Sequence, residues 1–281
     1  MKTIPIHDFA QQQQSPKFEV DLWKKSNKYD VSLPHRHNYC QALIFLKGGG
    51  KHEIDFNAYV IKSQSLHFVY ANQVHVVRRA AGSTGFSIMF AEEFLPEGCS
   101  VRDFYFFKTG ACPVMNLRAK DFSEIKATLE SIQTEYFSHL AKKREVLQAL
   151  FHVFLIQAQR LQDKTEKVQA VKSSKHEFAE QLEQLIEKNF QLHWRAHDYA
   201  RPLNVSVTQL NFLCKQHFSK STETLIQDRL LLEAKRLLVY SEKSVKEICF
   251  DLNFDDPAYF IRFFRKHTGI TPLEYRKSVG G

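Results

Sequence analysis

Arg262, Arg265 and Lys266 stand three and four residues apart near the end of the chain, with Tyr259 one helical turn before the first of them. The planar fork of an arginine donates two parallel hydrogen bonds to the O6 and N7 of a guanine, and Arg and Lys both contact phosphate oxygens. Such a set can read a nucleic acid if one helix carries it on one face. Asp256-Pro257 starts that helix: the Asp side chain accepts from early backbone N–H groups, and Pro at the first position has no donor to leave unpaired. Phe260, Phe263 and Phe264 turn the opposite face inward, Gly269 ends the helix, and Thr271-Pro272 follows as punctuation.

The segment before it supplies a support helix. Ser244-Val-Lys-Glu247 is a capping box ahead of Ile248, Cys249 and Leu252. Asn253 tolerates the left-handed conformation of a tight turn. A helix, a short turn and a second, cationic helix make a helix-turn-helix arrangement, in which the second helix enters the major groove. Spacing alone leaves an ordinary helical hairpin with a solvated charged face equally open.

The full string decides between them. SVKEICFDLNFDDPAYFIRFFRKHTGITPLEYR, residues 244–276, closely resembles the signature of the AraC/XylS family of transcription regulators. DRLLLEAKRLL, residues 228–238, resembles the long helix that joins that family's two helix-turn-helix units, and the likeness runs from Leu182 to Arg276. The resemblance implies a first unit with Asp198–Leu203 in its support helix, Asn204-Val205 as turn, and Ser206 as N-cap of a recognition helix from Val207 to about Phe218. It implies base contacts at Thr208, Asn211 and Phe212, flanked by Ser206, Gln209 and Lys215. In the second unit the matching positions are Pro257, Ala258 and Arg262, with Tyr259, Arg265 and Lys266 beside them. It further implies double-stranded DNA and RNA polymerase as partners, activation as the family's habit, and a cytoplasmic place of work. The chain departs from the pattern at several points. Phe212 stands where Arg is common, Cys214 replaces Phe, and Ser219 and Asn253 replace Gly. Pro202 falls late in the expected support helix, where it removes a backbone donor.

Nearer the start, Pro34-His35-Arg-His37 is followed by Gln41, Gly48 and His75, an order similar to the two cupin motifs and to the sensor barrels of AraC-type regulators. Three roles are open to His35, His37 and His75: metal ligands, lining of a small-effector pocket together with Gln41, or structural residues. Gln41 is neutral where a metal-binding cupin has its carboxylate, which weighs against a metal. It also weighs against the alternative of a metal-dependent cupin enzyme fused to a DNA-binding domain. No catalytic residue, metal or cofactor is expected. His52 and His67 read as strand-face residues without a partner pattern.

These residues need elements to place them. Strand-like runs recur at Tyr39–Leu46, Glu53–Phe56, Ala58–Ile61, Leu66–Tyr70, Val74–Arg78 and Gly85–Phe90, separated by turns such as Lys47-Gly-Gly-Gly50. They predict a β-sandwich or barrel over about 18–107. From Asp121 the period becomes helical, through Phe122, Ile125, Leu129, Ile132 and Tyr136, then Val146, Leu150, Phe154 and Leu161. The expectation is an α+β, two-domain chain. Residues 1–161 form a cupin-like barrel with a helix pair (about 121–161) that packs on the barrel or pairs in a homodimer. A linker spans 162–175, and 176–281 form an all-α domain of two helix-turn-helix units joined by a long helix at Thr222–Tyr240.

Bulk properties bound the rest. The net charge is +8, yet residues from His176 onward carry 15 Lys and Arg against 14 Asp and Glu, leaving 24 against 17 before them. Net charge therefore does not locate a polyanion-binding half; local placement does. The basic run Lys142-Lys-Arg144 reads as a solvated helix end. Five widely spaced cysteines without a CxxC pair predict reduced thiols. No stretch has the length of a membrane span, and the N-terminus lacks an apolar leader, so no membrane partner is expected. The 24 phenylalanines are read as core.

Overall fold

The computed structural model describes residues 4–7, 18–23, 33–108, 111–165 and 175–279. The chain divides into two compact units, one of Pro5–Ala170, the other of Val171–Gly281 with Met1–Ile4.

Among the described residues the first unit holds ten strands: β1 (Ile6–His7), β2 (Phe18–Leu22), β3 (Arg36–His37), β4 (Cys40–Lys47), β5 (Gly50–Ile54), β6 (Asn57–Val60), β7 (Ser65–Val69), β8 (His75–Arg79), β9 (Thr84–Phe90) and β10 (Val114–Asn116). An antiparallel five-stranded sheet runs β10-β7-β4-β9-β2, a three-stranded one β6-β5-β8, and β1 pairs with β3 in parallel. Helices α1 (Ala119–Phe137) and α2 (Lys143–Thr165) follow and pack on each other. The near-continuous apolar run of β4 is explained by burial on both faces. Ala42 and Ile44 belong to a core with Phe68, Phe90, Phe122, Phe151 and Phe154, whereas Leu43 and Phe45 belong to a second core with Ile54, Val69 and Val77. Much of the phenylalanine lies in the first core, with Phe68 and Phe106 stacked at 3.8 Å. Each fully buried ring contributes about 1.5–3 kcal/mol.

Two expectations change here. The run of strands ends at Phe90, not near 107; Glu92–Phe94, Val101–Asp103 and Tyr105–Phe107 form three short 3-10 turns, and β10 lies beyond them. No periodicity marks a three-residue strand such as β10, because too few positions alternate. Helix α2 runs to Thr165, past the expected linker start at 162, because Gln162 is buried and Lys164 reaches Glu124 of α1 at 3.3 Å. Most of the expected linker, 166–174, lies outside the described residues, as does part of the expected barrel, 24–32.

The second unit is helical: α3 (Lys175–Asn189), a 3-10 turn (Phe190–Leu192), α4 (Ala196–Ala200), α5 (Val207–Phe218), α6 (Thr222–Tyr240), α7 (Val245–Asp251), α8 (Pro257–Thr268) and α9 (Pro272–Val279). Arg229 of α6 is its main polar rivet. It donates to Glu187 of α3 at 2.7 and 2.9 Å and to Glu233 at 3.2 Å, and lies 4.0 Å over the Phe190 ring. Burial pulls its pKa down, but the two glutamates outweigh that and hold it above the ordinary arginine value. Among the described residues no helix is long and apolar enough to cross a membrane.

Candidate nucleic-acid interface

Two helices, α5 and α8, are built alike. Ser206 caps α5, its hydroxyl accepting from Gln209 N at 3.1 Å while the Gln209 side chain accepts from Ser206 N at 3.0 Å. Asp256 caps α8, accepting from Ala258 N at 2.9 Å and Tyr259 N at 3.1 Å, with Pro257 in the first turn. Before each comes a short helix and a left-handed asparagine: α4 with Asn204 (φ 53°), α7 with Asn253 (φ 55°). After each, a left-handed residue ends the helix, Ser219 (φ 55°) for α5 and Gly269 (φ 82°) for α8. The capping box of Ser244 and Glu247 forms as expected, and the Ser244 backbone and hydroxyl hold the Glu247 carboxyl below the usual carboxylate range.

The inward faces are dry. Leu210 and Cys214 anchor α5, and Phe260, Phe263 and Phe264 anchor α8 around Phe254 and Tyr275. On the other faces Thr208, Gln209, Lys215, Ala258, Arg262, Arg265 and Lys266 are exposed, as are Phe212 at 66% and Tyr259 at 55%. Arg262 lies 3.8 Å from the Asp256 carboxylate, a solvated contact worth little that leaves the guanidinium able to turn outward.

Two details differ from expectation. Asn211 is half-buried, and its Oδ1 accepts from Thr222 N at 3.2 Å, the start of α6. Its amide N–H2 is left to face a ligand, while an N-terminal backbone donor of the next helix already bonds the carbonyl. Pro202 lies outside the support helix: α4 stops at Ala200 and residues 201–204 form the turn, so no helical hydrogen bond is lost to its ring.

In the first unit, His35 and His75 exchange backbone hydrogen bonds at 3.1 and 2.9 Å, which sets their rings 4.3 Å apart. The His37 ring lies 4.9 Å from that of His75. All three are buried, and Gln41 on β4 has a buried Oε1 without a hydrogen-bond partner. His52 and His67 belong to the same group, which the sequence reading did not join to it. His52 Nδ1 meets His67 Nδ1 at 3.0 Å, and His52 Nε2 meets His75 Nδ1 at 3.1 Å. Strand alternation was the available signal: His52 lies two residues from buried Ile54, and His67 between buried Ser65 and Val69. Among the described residues no group of three or more His, Cys, Asp or Glu is arranged to hold a metal ion.

Comparison with known proteins bears on the second unit. A family model described as a helix-turn-helix domain matches residues 199–278. The HTH-type transcriptional regulator ExsA of Pseudomonas aeruginosa is 28% identical over 105 residues, 37% of this chain and 37% of ExsA. The HTH-type transcriptional activator RhaR of Escherichia coli is 18% identical over 249 residues, 88% of each chain. Among solved structures, ToxT of Vibrio cholerae aligns over 94% of this chain and 99% of its own, at 17% identity and a TM-score of 0.42.

Proposed function

We propose that this chain, whose residues 199–278 match a helix-turn-helix domain, is a sequence-specific DNA-binding transcription regulator of the AraC type, an activator by the habit of its relatives. One observation carries the proposal: α5 and α8 are capped, buried on one face, and leave cationic and hydrogen-bonding side chains on the other. Ser206, Thr208, Gln209, Asn211, Phe212 and Lys215 would meet one major-groove segment. Pro257, Ala258, Tyr259, Arg262, Arg265 and Lys266 would meet the next, with Arg262 reading a base and Arg265 and Lys266 holding phosphates. RNA polymerase is the partner this role requires, and the cytoplasm its place.

The first unit, with its strands and the helices α1 and α2, serves as sensor or dimer module in this reading. A small effector would lie against His35, His37, Gln41 and His75, where a ligand donor would satisfy the Gln41 oxygen. A homodimer would form through the helices of 121–161, on whose outer side Val146 (40%) and Val153 (45%) stand exposed one heptad apart. The test is selection from a random DNA pool by purified protein at stated salt, since phosphate contacts dominate affinity. An enriched motif supports the reading; a pool that stays random ends it.

A further inference from the structure

Between the two helix-turn-helix units lies a cleft of about 1090 Å³, walled by residues 190–196, the first half of α6, and the α7–α8 turn. Two hydrogen bonds cross it. His193 Nε2–H donates to the carbonyl of Leu252 at 2.8 Å, and the Asn253 amide donates to the carbonyl of Gln191 at 3.2 Å. The His193 ring also meets the Phe254 ring edge-on, 4.6 Å between centroids.

Both donors sit on left-handed backbone, His193 at φ 51° and Asn253 at φ 55°. Glycine adopts that conformation without steric cost, and Asn and His are among the side chains that enter it most readily. Here a side chain is present at both, and each reaches across the cleft to a carbonyl on the other wall.

The clasp joins the parts that aim each reading helix. On one side, residues 190–196 lead into α4, which packs on α5, with Trp194 and Tyr199 in ring contact at 5.3 Å. On the other, Leu252–Phe254 is the turn into α8, and Phe254 packs on Phe260 and Phe263 at 5.1 and 5.4 Å. Helix α6 is a second link between the same two units. Arg276 of α9 fastens the C-terminal end of α6 by donating to the Leu238 and Lys243 carbonyls at 2.8 and 2.6 Å, and the clasp adds a tie between the two units away from the axis of α6.

We infer that His193 and Asn253 are positioning residues for DNA recognition: they fix the offset between α5 and α8, and so the spacing of the two base segments the protein accepts. The inference rests on the DNA-binding reading above. One added base pair moves a half-site by about 3.4 Å and about 35° around the duplex, which a clasped pair of helices cannot follow and an unclasped pair can.

The experiment uses full-length protein and the site it selects, with one base pair inserted or deleted between the segments contacted by α5 and α8. The wild type should lose at least tenfold in affinity on either change. The double variant His193→Gly, Asn253→Gly keeps both left-handed turns and removes both donors. It should bind the native spacing within about threefold of wild type and discriminate the altered spacings by less than about threefold. Thermal unfolding is read alongside. If that variant does not fold, Asn253→Asp keeps the turn, sets an acceptor against the Gln191 carbonyl, and should relax spacing in the same sense. Full spacing preference in the clasp variants overturns the inference alone. A wild-type protein that selects no sequence overturns the DNA-binding reading and the clasp with it.

Discussion

The Nδ1 of His52, on β5, lies 3.0 Å from the Nδ1 of His67, on β7, and so ties the three-stranded sheet to the five-stranded one. The direction of that bond follows from a neighbour. The Ser65 hydroxyl donates to the Lys62 carbonyl at 2.7 Å, so its oxygen accepts from His67 Nε2–H at 3.2 Å. Neutral His67 then accepts at Nδ1 from His52, and neutral His52 accepts at Nε2 from His75 Nδ1–H. One backbone carbonyl thereby sets the tautomer of three histidines.

Neutrality is the condition for this chain of bonds, and it gives a pH dependence. Burial lowers the His67 pKa from 6.5 to about 4, and burial, with the nearby His67, puts His52 well below 6.5. Between about 4 and 6.5 the unfolded chain takes up protons that the folded one refuses, so stability is complete above about 6.5 and is lost as pH falls toward about 4. The His67 share is on the order of 3 kcal/mol at full loss. Imidazole NMR titration should place the His67 midpoint near 4, and the unfolding temperature should drop between pH 7.5 and 5. A His67 that titrates near 6.5 refutes this.

Arg262→Ala should weaken binding to the selected site by about 1–3 kcal/mol while affecting random DNA much less. Titrations on both DNAs at one salt concentration settle it. Equal losses on the two would remove Arg262 from base readout.

Asp256→Ala removes a side chain that accepts from two backbone N–H groups at the start of α8. The expected cost is about 1 kcal/mol of stability, within about 0.5–2. Denaturant unfolding of the C-terminal unit measures it, and Asp256→Asn, which keeps an acceptor, should recover most of the loss.

Arg229→Ala should cost about 3 kcal/mol, because it removes the guanidinium shared by Glu187 and buried Glu233 and leaves Arg236 as the cation beside Glu233. Phe212→Ala is the contrast. Its ring is exposed, so stability should change by less than about 0.5 kcal/mol while the preferred DNA sequence changes. A large stability loss on Phe212→Ala would make it a packing residue and nothing more.

The C-terminal unit was legible because its signals are local. Capping boxes at Ser206 and Ser244, the Asp256-Pro257 start and the left-handed Asn253 each lie within four residues of their effect, and α6 appears over Thr222–Tyr240 as expected. What the local signals did not show has longer reach: the Asn211 carbonyl accepts from Thr222, eleven positions on. In the N-terminal unit the strands were legible and their assembly was not. His52, His67 and His75 meet across two sheets through pairings 15 and 23 residues apart, which alternation along one strand does not reveal. The clasp across the cleft spans about 60 positions, His193 to Leu252 and Gln191 to Asn253, and no pattern in the chain announces it.

The bond from Thr222 N to Asn211 has a bearing on how the protein's target preference can drift. A substitution at 211 rewrites one reading position and at the same stroke takes the acceptor from the first backbone N–H of α6, which Ser221, the cap of that helix, does not serve, so each new specificity at that position starts with a loss of stability. Position 212, exposed and without such a duty, carries no cost of this kind. Inherited variation in what the first unit recognises should therefore accumulate at 212 and be scarce at 211.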